Sequence, residues 1–94
     1  MALARVVSFE GVTDERLQEI GRQLEAGELP EGLPTKDVTV LHDPEGQQAV
    51  VILIFETDAD YERGDEILRA MPADETPGRR TSVAKYQVAA RTTL

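Results

Sequence analysis

The stretch QAVVILIFE, residues 48–56, decides how this 94-residue chain folds. It is apolar without a break from Ala49 through Phe55 and rich in β-branched residues. Successive side chains of a strand point to opposite faces, so an unbroken apolar run describes a strand with neither face in water. A central strand buried on both sides is expected here.

Upstream, Asp43-Pro44-Glu45-Gly46 has the residue preferences of a type I turn, with Gly46 free to take a positive φ in a hairpin bulge. Before it, residues 37–43 (DVTVLHD) alternate as a flanking strand does, and the two strands are expected to pair antiparallel. Residues 3–9 (LARVVSF) and about 80–91 (RTSVAKYQVAAR) supply two further strands. The first helix opens at Thr13 as N-cap, with Asp14 and Glu15 in the first turn and Val12 spaced from Leu17 as a hydrophobic staple. Leu17, Ile20, Gly21 and Leu24 form its inner stripe, and Gly27 is placed to end it. The second helix starts at Thr57 or Asp58, carries Tyr61, Gly64, Ile67, Leu68 and Met71 on one side, and stops before Pro72. Gly21 and Gly64 each cost about 1 kcal/mol relative to Ala, which is explained if both helices approach the sheet closely. Two Pro- and Gly-rich linkers, 27–36 and 72–80, remain; Leu29 and Leu33 are able to pin the first to the body. Phe9-Glu10, Thr13-Asp14 and Gly21 are echoed by Phe55-Glu56, Thr57-Asp58 and Gly64, so a strand-to-helix unit recurs.

The order βαββαβ closes most simply as a four-stranded antiparallel sheet with both helices on one face and right-handed crossovers, the ferredoxin-like α+β arrangement, here as one domain over 1–94. Two helices cover one face only. The residues 50–54 (VVILI) place apolar side chains on both, so the second face is an apolar patch that needs a cover, and the simplest cover is a second copy in a twofold homodimer. In element order, length and two-sided apolar strand the chain resembles the dimeric α+β barrel superfamily, in which two ferredoxin-like protomers share a barrel. Its ending, PGRRTSVAKYQVAAR, resembles that of small bacterial proteins of this type. The superfamily includes cofactor-free monooxygenases, muconolactone-isomerase-like enzymes and polyketide cyclases. The resemblance rests on topology, with no signature motif, and carries over no functional residue.

Composition narrows the functions. Ten basic against eighteen acidic residues give a net charge of −8, which opposes binding to nucleic acid or to an anionic membrane surface. There is no Cys, and a lone His builds no zinc centre without carboxylates, so neither a metal nor another cofactor is expected. No segment approaches the roughly 18–20 apolar residues of a membrane span, and a soluble, cytoplasmic protein is expected. The charge is also uneven. Residues 76–94 hold Arg79, Arg80, Lys85 and Arg91 and no acid, leaving residues 1–75 at −12. This basic final strand is expected to lie against acidic elements, its own or a partner's.

Four residues are ligand-binding candidates: His42, Arg5, Lys85 and Tyr86. His42, at a strand end, is of the residue type that serves as a general base, or it is a polar residue bonded to the hairpin. Arg5 shares a face with Val7 and Phe9 and offers a cation to a carboxylate or enolate, or pairs with one of the many acids. Lys85 and Tyr86 are adjacent, so only one faces an inter-sheet cavity. Ala84, Tyr86, Val88 and Ala90 form the greasier set, which favours placing them under the helices and Lys85 and Gln87 on the open face or in solvent. Three function classes stay open: a homodimer binding a small apolar or aromatic metabolite between its sheets, with a cofactor-free monooxygenase-like or isomerase/cyclase-like enzyme as a variant; a structural or interaction module without ligand; and a small-molecule sensor.

Overall fold

In the computed structural model, which describes residues 1–35 and 37–94, the chain runs β1 (Leu3–Glu10), α1 (Asp14–Glu25), β2 (Asp37–Asp43), β3 (Gln48–Phe55), α2 (Asp58–Arg69), a short 3-10 turn (Ala73–Glu75) and β4 (Arg79–Gln87). The strands form one antiparallel sheet in the order β2-β3-β1-β4, a ferredoxin-like α+β fold. The first linker is described as far as Thr35; Lys36 lies outside the described residues.

Register fixes which residues share a face. Pairing Arg5 with Leu53, Val7 with Val51 and Phe9 with Ala49 puts these side chains on the helix side. Ala4, Val6, Val50, Ile52 and Ile54 fall on the other side. The apolar run of β3 thus serves two faces: Ala49, Leu53 and Phe55 are buried under the helices, while Val50, Ile52 and Ile54 are only half-buried on the open face.

The two strand-to-helix units match in detail. Thr13 Oγ1 accepts from Arg16 N at 3.2 Å and Thr57 Oγ1 from Asp60 N at 3.1 Å, and each cap opens a helix of 12 residues. Their packing differs. Of α2, Tyr61 and Gly64 are buried; α1 buries none of its residues. A Cβ at Gly64 would overlap the ring of Phe55, which is wholly buried, whereas a Cβ at Gly21 would meet nothing within 4 Å. Close approach therefore explains Gly64 and does not explain Gly21. The staple does form, with Val12 fully buried and Leu17 packed on its cluster.

Three further local expectations are revised. In the hairpin it is Gln47, with φ 52°, that takes the left-handed conformation; Gly46 N instead donates to Asp43 Oδ1 at 3.2 Å, closing the turn one residue earlier. The second helix stops before Pro72 as expected, but at Arg69, so Met71 lies beyond it, and β4 stops at Gln87. Beyond it, Val88 N still donates to Ala2 O at 2.9 Å, and Arg91 reaches Glu56 Oε1 at 3.2 Å and Asp37 Oδ2 at 3.5 Å, so the tail crosses the end of the sheet.

The contrast between the glycines has an expected outcome. Gly64→Ala lowers stability by about 2 kcal/mol, because overpacking against Phe55 outweighs the gain in helix propensity. Gly21→Ala raises it by about 0.5–1 kcal/mol. Denaturant melts that ranked the two variants the other way would contradict the packing described.

Candidate functional site

Because α1 rides off the sheet while α2 is seated on it, a cavity of about 140 Å³ opens between the helices and the sheet. Its floor is Arg5, Val7, Phe9, Val51 and Leu53; Ile20 and Leu24 of α1, Leu68 of α2 and Met71 beyond it form its walls. Leu29, Pro30 and Leu33 of the first linker line one side; Leu33 packs on the core and pins that loop, whereas Leu29 stays 39% exposed. Arg63 Nε donates to Gly32 O at 3.3 Å from α2, and Thr35 Oγ1 donates to Ile54 O at 2.7 Å, which holds the loop in place. On the other side Arg16 Nε donates to Thr76 O at 3.3 Å, tying α1 to the segment before β4.

Arg5 is the one buried charged side chain among the described residues, 2% exposed. Its Nε donates to Asp65 Oδ1 at 2.9 Å. Asp65 Oδ2 accepts from Arg69 Nε at 2.8 Å, one helical turn further along α2. Two guanidinium groups thus share one carboxylate. Burial pushes the Asp65 carboxyl up, but the hydrogen bonds from Arg69 and Arg5 outweigh it and hold it below its ordinary value. Arg5 Nη2 is shielded from solvent and has no hydrogen-bond partner among the described residues. Nearby, burial followed by the Asp65 charge raises the Tyr61 phenol, whose ring meets Phe55 edge-on at 5.6 Å between centroids.

The other candidates are dispersed. His42 is on the helix side, since it pairs with Ala49; its Nδ1 is 3.8 Å from Asp14 Oδ1 and its Nε2 is buried without a partner among the described residues. It does not line the cavity. Lys85 and Tyr86 take the faces opposite to those favoured from composition. Val83 pairs with Val7, which sends Lys85 to the helix side, where its Nζ lies 4.6 Å from the centre of the Tyr61 ring and 3.6 Å from Glu62 Oε1. A long aliphatic stem at an edge strand covers Tyr61 while its charge stays wet, so greasiness was a poor guide to facing. Tyr86 pairs with Ala4 and lies on the open face, 58% exposed. Of the four, Arg5 alone lines the helix-side cavity and Tyr86 alone belongs to the open face.

The basic final segment finds its acids within its own chain: Arg79 pairs with Glu10, Lys85 with Glu62, and Arg91 with Asp37 and Glu56. Asp65 was the informative residue that sequence reasoning passed over. Asp65 follows Gly64 in the tightly seated turn of α2, so an acid there meets the sheet.

Asp65→Asn is expected to cost about 3 kcal/mol at neutral pH, since Arg5 stays buried without its counter-charge. A carboxylate with a lowered folded pKa stabilises above its unfolded pKa and loses that contribution as pH falls through the folded value. The gap between wild type and variant should therefore narrow as pH falls below the ordinary carboxylate range, about pH 4; a gap in thermal midpoint that held constant down to acid pH would contradict the pairing. No family model matches this chain, and neither does any curated protein or solved structure.

Proposed function

We propose that this protein binds a small apolar or aromatic molecule, and that it does so as a homodimer joined through the open sheet face. The observation that carries the first part is the cavity itself: about 140 Å³, walled by Val7, Phe9, Ile20, Leu24, Val51 and Leu53. An engineered apolar cavity of about 150 Å³ stays dry and admits benzene, so this one has room for a single aromatic ring or a short alkyl chain. Binding is favoured over a reaction because, among the described residues, the lining has no His, Tyr, Lys or Asp; its acids, Glu28 and Glu75, are exposed. The ligand seat moves from between two sheets to within each protomer.

The second part rests on the open face, where half-buried Val6, Val50, Ile52 and Ile54 are continuous with exposed Leu41 and Tyr86. A face of this kind buries apolar area against its own copy under twofold symmetry. Arg79 and Lys85 of the final strand are already paired within their own chain, so the two protomers, each at −8, repel one another while their sheets attract.

Toluene added to isotope-labelled protein should shift the resonances of Val7, Ile20, Val51 and Leu53. Shifts confined to Val50, Ile52 and Tyr86 would place the ligand between the sheets and overturn the seat. For assembly, light scattering should give a dimer at micromolar concentration, and Ile52→Lys a folded monomer. Because the Debye length falls from about 10 Å at 0.1 M salt to about 3 Å at 1 M, salt should tighten the dimer. A monomer under all these conditions would refute it.

A further inference from the structure

We propose that the ligand held in the helix-side cavity is a monocarboxylate with a small apolar body, and that Arg5 receives its carboxylate. This rests on the cavity reading above and adds the charge of the ligand to it. Arg5 lines the cavity, and its Nη2 is buried with no hydrogen-bond partner among the described residues. A buried donor left unsatisfied is unfavourable, and a charged one more so. The reason it is left over is visible. Nε and Nη2 form one edge of the guanidinium, which a carboxylate usually accepts with both oxygens. Asp65 gives that edge only Oδ1, at 2.9 Å, because Oδ2 is drawn to Arg69 Nε at 2.8 Å.

Two guanidinium groups on one carboxylate leave the cluster at +1, beside an otherwise apolar cavity. One added negative charge balances it, which suits a carboxylate better than a dianionic phosphate. An ionised ligand group accepting from Arg5 also makes the stronger, charge-assisted class of hydrogen bond. The remaining charged residues around the cavity, Glu28, Glu75 and Arg80, are exposed and screened by water. With Val7, Phe9, Val51 and Leu53 around the body of the ligand and about 140 Å³ to fill, benzoate and hexanoate are of the right size and kind.

The test compares benzoate with benzyl alcohol and benzylamine, titrated into the full chain at neutral pH and followed by isotope-edited NMR and calorimetry. Benzoate is expected to bind about tenfold more tightly than benzyl alcohol, as a charge-assisted bond exceeds a neutral one, and benzylamine more weakly than either. Arg5→Met should abolish the preference. Since that variant alters the core, Arg69→Gln supplies a second arm: Arg69 is exposed and outside the cavity, and its removal frees Oδ2 to take Arg5 Nη2. That variant should lose most of the benzoate preference while binding benzyl alcohol as before. Equal binding of benzoate and benzyl alcohol to the wild type, or a preference that survives Arg69→Gln unchanged, would overturn the carboxylate assignment and leave the apolar cavity standing. Failure of all three probes and of toluene would overturn both.

Discussion

An arginine buried in a central strand must be given a counter-charge, and much of this structure follows from where that charge comes from. Arg5 sits on β1 between β3 and β4, under the helices, and its acid partner is Asp65 on α2. Removing a guanidinium from water is costly unless it is paired and hydrogen-bonded. The pair therefore fixes the rotation of α2 about its axis, with Gly64 turned onto Phe55 and Asp65 onto Arg5. Tyr61, one turn earlier, then completes the core with Leu3, Leu53 and Phe55.

Nothing equivalent draws α1 down. Its unit has the same Thr cap, the same acidic first turn and the same length, yet Gly21 faces open space and no residue of the helix is buried. Two similar units give a sheet with one helix seated and one standing off, and the difference is the cavity. Its closure depends on the first linker, whose Leu29, Pro30 and Leu33 reach over the gap that α1 leaves. Close packing and open space are thus divided between the halves: α2 packs on the sheet, and α1 walls the cavity.

The charge pattern has a similar logic. Most of the eighteen acids lie at helix starts and on wet faces, where they interact with dipoles or solvent. The basic minority at the C-terminal end spans three of the four strands through its ion pairs, from Glu10 on β1 to Asp37 on β2. Exposed pairs of this kind contribute little each, and their sum leaves the protein strongly acidic.

Periodicity and turn chemistry in the sequence determined the element order, the antiparallel hairpin, the helix caps and the two-sided apolar character of β3, because these depend on residues close together in the chain. The ferredoxin-like fold was legible for that reason. The tertiary structure alone decided which final-strand face looks inward, since side-chain facing has a period of two and is set by the register on β1, which pairs Val83 with Val7 and Lys85 with Arg5. It alone separated the two glycines, which read alike as helix residues and differ only in what stands opposite them. Above all it paired Arg5 with an acid 60 residues away, an interaction that no local pattern encodes, and so showed which of many charged residues is buried and incompletely satisfied.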